Sequence, residues 1–148
     1  MTLRAITVRQ PWAGLIVAGI KRFENRGAAV SWRGELAIHA GKRVDAGELA
    51  RAVGAGHLAP MTALGSILAV AELTDCHLAD TTDPTGCCGA FGLEFYNGRR
   101  ACHLVLENVR QFASPVPCRG QVLLGWPVPA DVEMAVRAQL SLMPEEAK

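Results

Sequence analysis

Aromatic rings are scarce in this chain of 148 residues, which has three Trp, one Tyr and four Phe. Aliphatic side chains must supply most of the core. No apolar run approaches the roughly eighteen residues that span a bilayer, so no membrane partner is expected. The first ten residues carry two arginines inside a strand-like alternation, unlike a signal peptide. Cysteine is odd in number, five at irregular spacing, which argues against a secreted disulfide framework and for reduced thiols in the cytoplasm. A Gly-x-Ser-x-Gly elbow and a P-loop are absent, which removes the usual sequence support for acyl transfer through an elbow serine and for nucleotide hydrolysis. Zinc-ligand pairs roughly two to four residues apart are also missing. Cys76-His77 and Cys102-His103 can each send only one ligand in a given direction if they lie on strands, and Cys87, Cys88 and Cys118 stand elsewhere. Neither a metal nor a cofactor is expected.

What is present suits a folded protein: half the residues are hydrophobic and a fifth charged. This length buries roughly two thirds of the unfolded surface and is most simply one domain over residues 1–148. The net charge of +1 conceals a segregation, with residues 1–43 at +6, 44–97 at −6, 98–128 at +3 and 129–148 at −2. Two basic segments separated by an acidic one form a basic face if the fold unites them, which points to a polyanion partner.

Leu3–Val8 alternates as a strand with one buried face, leaving Arg9 and Gln10 at its end. Pro11 then opens a short helix with Trp12, Leu15 and Ile16 as its apolar stripe, and Gly19 stops it. Trp32–His39 reads as a second strand bent at Gly34, placing His39 at a strand end before a basic loop of Gly41, Lys42 and Arg43. Asp45 with Glu48 marks the start of a surface helix running to Val53. Gly65–Asp75 is the most apolar strand and reads as central; Cys76–Gly92 is the longest loop, a segment type that often lines binding sites. A short strand at Phe91–Phe95 and the Asn97-Gly98 turn precede a strand over Ala101–Phe112, interrupted by Pro115 and Pro117. Gln121–Trp126 gives a last strand, and Pro129 opens a helix over about residues 130–142 with Val132, Val136 and Leu140 on one stripe. About six short strands with two or three peripheral helices predict an α+β protein built on a small mixed β-barrel.

The densest chemistry lies in Gly19–Arg26, where three cations, a carboxylate and an amide follow the first helix. If the chain straightens after Phe23, Glu24 and Arg26 share one face and Asn25 takes the other. The carboxylate and cations then offer an acceptor and donors to a planar polar ligand, or serve as a fold-closing ion-pair network. Lys21, desolvated near apolar helix residues and flanked by Arg22 and Arg26, can act as base or nucleophile with Glu24 moving the proton; left exposed, it attracts phosphate.

Thr7-Val8-Arg9-Gln10-Pro11-Trp12-Ala13, Gly19–Arg26, Arg33-Gly34 and Ile38-His39-Ala40-Gly41-Lys42 together resemble the ASCH domain, a family of the PUA-like superfold. Val105–Val109, Pro115–Gly120 and the stretch to Trp126 look like its closing segment, so the likeness spans about residues 3–127. The resemblance implies a barrel with a cleft and an RNA-related role. Lys21, Glu24 and Arg26 would sit at the mouth of that cleft. RNA or a modified nucleoside is then the expected ligand, with DNA and oligomeric state left open. Arg9, Gln10, Trp12, Lys21, Glu24, Arg26, Arg33, His39, Lys42, Arg43 and Arg119 are the candidate binding residues, and Lys21 and Glu24 the catalytic pair if the chain is an enzyme. Some small relatives hydrolyse N-acylated cytidine with a lysine matched by Lys21, and one is linked to RNA cleavage, so an amidohydrolase and a ribonuclease stand beside the binding module. Those amidohydrolases have threonine at Glu24, and their further carboxylate has no evident counterpart here. Tryptophans common in the family are replaced by Ala28 and Leu104. An adaptor whose basic face meets an acidic protein is the remaining alternative.

Overall fold

The computed structural model describes residues 2–59, 63–83 and 86–144. The alternating first segment forms β1 over Arg4–Gln10, with Arg9 and Gln10 as its last two residues. Helix α1 (Trp12–Val17) follows. Gly19, at φ +76°, adopts the left-handed conformation that ends it. The chain then turns into β2 (Phe23–Arg26) and β3 (Gly34–Val44), and the Asp45 side chain caps α2 (Ala46–Gly54) by accepting from the Glu48 amide at 3.0 Å. After β4 (Ser66–Leu78) come the hairpin of β5 (Phe95–Tyr96) and β6 (Arg99–Arg100), then β7 (Cys102–Pro117), β8 (Trp126–Pro127) and α3 (Ala130–Ser141). Asn97 and Gly98 both have positive φ, as a two-residue hairpin turn demands.

The main sheet runs β2-β7-β4-β3-β1-β8, and β5-β6 make a separate pair. Only β1 and β3 are parallel; every other neighbour is antiparallel. The mixed α+β architecture is as expected, but β2 and β8 are free ends of the ladder, so the sheet is open rather than closed into a barrel. Its central strands are apolar on both faces because both are covered. Ile6, Val8, Leu36, Ile38, Leu104 and Leu106 pack with Ala13 and Ile16 of α1. Ala5, Ala37, Val70, Phe112 and Trp126 pack with Val136 and Leu140 of α3. Arg137 pins α3 to the sheet through Glu35 at 2.8 Å. Among the described residues no helix is long and apolar enough to cross a membrane.

Several expected boundaries move. β3 continues through Lys42 and Arg43, so His39 lies mid-strand and the basic segment is a bulged strand rather than a loop. β4 runs on to Leu78 because Asp75–Leu78 pair with Val105–Cys102 of β7, which outweighs their polar composition. β7 passes through Pro115 and Pro117, which fall near a register shift in the ladder, where a missing N–H is tolerated. Phe91 ends a 3-10 turn, Gly89–Phe91, and not a strand. In the last predicted strand only Trp126 is paired; Val122 and Leu123 are 97% and 63% exposed, so nothing holds that part of the segment against the sheet.

Gly120 packs where no side chain fits. A Cβ there would lie 2.5 Å from the His39 ring and 2.7 Å from the Thr7 hydroxyl, which itself accepts from the Trp126 indole at 3.1 Å. Gly120→Ala is therefore expected to lower stability by about 1–3 kcal/mol, read from the urea midpoint; an unchanged midpoint would mean that this crossing relaxes freely.

Candidate functional site

The end of α1 sets the position of Lys21. The backbone amides of Ile20 and Lys21 both donate to the Leu15 carbonyl, turning the chain so that the lysine side chain is buried, 2% exposed. β2 then begins, and its two-residue period brings Glu24 and Arg26 to the same side. Lys21 Nζ donates to Glu24 Oε1 at 2.9 Å, and the same oxygen accepts from the Asn25 amide at 2.8 Å. Glu24 Oε2 lies 3.6 Å from the Arg26 guanidinium, which donates to the Thr7 carbonyl at 2.7 Å. Arg26 Nε is buried and has no hydrogen-bond partner among the described residues.

This cluster lies along a cleft of about 450 Å³ lined also by Arg9, Trp12, Glu48, Phe91 and Tyr96. The volume falls within the roughly 300–1,000 Å³ of small-ligand pockets. Among the described residues its lining holds three cations, Arg9, Lys21 and Arg26, against two carboxylates, Glu24 and Glu48. Arg9 sits over the Trp12 ring at 5.7 Å. Polar groups set among rings suit a flat, hydrogen-bonding ligand.

Five of the expected residues, Arg9, Trp12, Lys21, Glu24 and Arg26, thus converge. Lys42 and Arg43 are exposed on the β3 bulge whose backbone runs beside Arg9, but they are not part of the cleft lining, and the Lys42 stem lies beside Gly65. The others lie apart. Gln10 is fully buried and joins α1 to the following chain, donating to the Ala63 carbonyl and accepting from the Gly14 amide. Arg33 caps the Val30 and Trp32 carbonyls and lines a different groove. Arg119 is exposed in the segment after β7 and is not part of the cleft lining.

Asn25, Phe91 and Tyr96 were missed. Asn25 holds the loop that forms the opposite wall, donating to the Phe91 carbonyl and accepting from the Leu93 amide, each at 3.0 Å. Only the turn-rich composition of that loop signalled its role. Leu104, at one of the replaced tryptophan positions, is a fully buried core residue, whereas the Tyr96 ring lies close to Gly27, just before Ala28.

His39 is buried between the sheet and the segment after β7. Its Nε2 donates to the Cys118 carbonyl at 2.7 Å, and Nδ1 has no partner among the described residues. Burial pushes its pKa below the ordinary 6.5, outweighing the Cys118 hydrogen bond, which acts the other way. Its contribution to stability is fully present above about pH 6.5 and is lost as pH falls through the lower folded value, because the unfolded state takes up the proton first. The wild type should therefore lose more stability than His39→Gln between pH 7 and 5, measured by urea denaturation; parallel profiles would show that the ring is free to protonate in place.

Residues 6–116 match the ASCH domain. The fold is similar to crystal structures of ZmASCH mutants from Zymomonas mobilis. A tyrosine-to-phenylalanine variant matches at a TM-score of 0.61 and 15% identity, covering 97% of this chain and all of that one. A serine-to-alanine variant matches at 0.59 and 15% identity, covering 93% and 98%. At that identity the likeness speaks for the fold alone. No curated protein sequence matches the chain.

Proposed function

The chain belongs to the ASCH domain family, and from that premise we propose that it is an RNA-binding module of the cytoplasm that admits one unstacked or modified base, or a modified nucleoside, to the cleft. The family is generally thought to bind RNA. The observation that carries the reading is the buried Lys21–Glu24–Arg26 cluster opening onto a cleft with aromatic walls. Glu24 Oε2 and the Arg26 guanidinium supply an acceptor and donors for a base edge, while Trp12, Phe91 and Tyr96 supply rings in place of those absent at Ala28 and Leu104. In this reading the cleft is the mouth of a barrel-like curved sheet, and Arg9, Lys42 and Arg43 follow the phosphates beside it.

Single-stranded RNA should bind at low salt and weaken as salt rises. Each phosphate contact removed, as in Arg43→Ala, should reduce the logarithmic salt slope by about 0.7, whereas Trp12→Ala should cost about 1–3 kcal/mol of stacking and leave the slope unchanged. Fluorescence anisotropy with a short labelled RNA measures both. Absence of binding at low salt ends the proposal, and equal binding by Lys21→Arg and Arg26→Ala would remove the cleft from it and favour the adaptor reading.

A second reading rests on the 2.9 Å contact between Lys21 and Glu24. An amidohydrolase would use Lys21 as base or nucleophile on the acyl group of an N-acylated nucleoside, with Glu24 delivering the proton to the departing amine. That chemistry requires the ion pair to open during turnover. The ribonuclease reading has less support, because no histidine is among the described residues lining the cleft. Lys21→Ala alone is a poor probe, since leaving Glu24 buried without its partner is expected to cost about 3–5 kcal/mol of stability. Lys21→Arg keeps the charge, so acyl release measured on N-acetylcytidine should vanish in it if Lys21 reacts and persist if Lys21 only supplies charge.

A further inference from the structure

We propose that His77, Cys87, Cys88 and His103 form a structural zinc site that braces the loop walling the cleft. Their ligating atoms all lie within 4.8 Å of one another. Cys87 Sγ is 3.3 Å from His103 Nδ1 and 3.8 Å from His77 Nε2, and Cys88 Sγ is 3.4 Å from His77 Nε2. In a tetrahedral zinc site, with bonds of about 2.3 Å to sulfur and 2.0 Å to nitrogen, neighbouring donor atoms stand about 3.3–3.8 Å apart. The three sulfur–nitrogen spacings fall in that range, and the remaining pairs, all within 4.8 Å, need only a small contraction to close a coordination shell.

The fold builds this arrangement from three places. His77 of β4 and His103 of β7 are directly paired across the ladder, and their rings meet edge to face at 5.3 Å. The two cysteines arrive on a turn bounded by Gly86 and Gly89, both at φ +76°, which lets adjacent side chains point inward together as a strand would not. Gly92 lets the loop close, since a Cβ there would lie 3.2 Å from Cys88 Cβ and 3.3 Å from the His103 ring.

The outer ring nitrogens are also committed. His77 Nδ1 donates to the Asp75 carboxylate at 2.7 Å and His103 Nε2 donates to the Leu93 carbonyl at 2.8 Å. Those hydrogen bonds fix the tautomers that leave His77 Nε2 and His103 Nδ1 as lone-pair donors toward the sulfurs, the outer-shell pattern of metal-bound histidines. Hydrogen bonds from thiol to imidazole explain individual contacts, but not the convergence of all four atoms with both outer nitrogens anchored. Two thiolates and two imidazoles favour zinc among common divalent ions, and four protein donors leave no corner open for a reacting water, so the site is structural rather than catalytic. Binding releases one proton from each thiol, and the dication with two thiolates forms a neutral unit.

The consequence reaches the cleft through Leu93, whose carbonyl is held by His103 and whose amide is held by Asn25. Zinc would fix the same segment from which Phe91 faces the ligand space.

The test is metal binding by the full chain, reduced and stripped of metal, and it does not depend on RNA. Cobalt(II) should bind one per chain with the intense visible bands of a tetrahedral site and thiolate charge-transfer absorption, and zinc should displace it. Zinc should also raise Tm and slow proteolysis of residues 86–93. Cys87→Ser/Cys88→Ser, judged folded by circular dichroism, should lose the spectrum and the Tm rise, while Cys118→Ser, remote from the cluster, should keep both. Weak octahedral cobalt bands, binding below one equivalent, or unchanged uptake by the double variant would overturn the site.

Discussion

The antiparallel ladder between β4 and β7 governs what the rest of this protein can do. β7 is 16 residues long and pairs with β4 along one edge and with β2 along the other. A two-residue period then sorts every side chain on these strands to one face or the other. Glu24 on β2 is paired with Leu104 of β7, which is paired with Cys76 of β4; Leu104 belongs to the core covered by α1, and Cys76 packs against it. One residue along, Asn25, His103 and His77 form the adjacent row across the same three strands. A slip of one residue would exchange the two rows. The ion cluster beside α1 and the Cys/His cluster beneath the long loop are therefore consequences of one register.

Electrostatics explains why the cluster at Lys21 is tolerable. A buried carboxylate is costly unless its oxygens are compensated, and Glu24 receives a lysine, a backbone amide and a nearby guanidinium. Those partners are close in sequence, so little chain entropy is needed to gather them once α1 has ended at Gly19. The result is a charged floor whose geometry is fixed by the chain itself. The segregation of charge along the chain contributes less directly. Arg9, Lys21 and Arg26 do meet, but Arg33 and Arg119 from the basic segments lie away from the cleft, and acidic Glu48 lines it.

Local signals in the sequence carried the elements whose reasons are local. The alternation of β1, the Asp45 cap of α2, the Asn97-Gly98 turn and the Val136–Leu140 stripe of α3 were all readable, as was the cluster from Lys21 to Arg26. What was not readable depends on distant partners. Asp75–Leu78 look like the start of a loop and become strand only because β7 is there to pair with them. His39 looks like a strand end and becomes interior because the segment at Cys118–Gly120 crosses over it. Leu123 looks like strand and is exposed because no neighbouring strand accepts it.

The cysteines show most clearly where such reasoning stops. Parity sends only one member of Cys76-His77 and of Cys102-His103 in a given direction, and histidine is the member of each that faces Cys87 and Cys88. The expectation of no metal looked for the remaining ligands at strand or finger spacing and did not consider a turn. Cys87 and Cys88 come from a turn, where glycines at positive φ lift the rule that neighbours point apart. The same loop then returns along Asn25, whose side chain bonds backbone groups of both Phe91 and Leu93. Asn25 thus stands between the two clusters, its neighbours Glu24 and Arg26 in one and its cross-strand partner His103 in the other. A cleft wall made of loop needs such external bonds, since it has no ladder of its own. Here they come from the β2–β7 pairing that also sets the cleft's charged floor, so wall and floor share one origin.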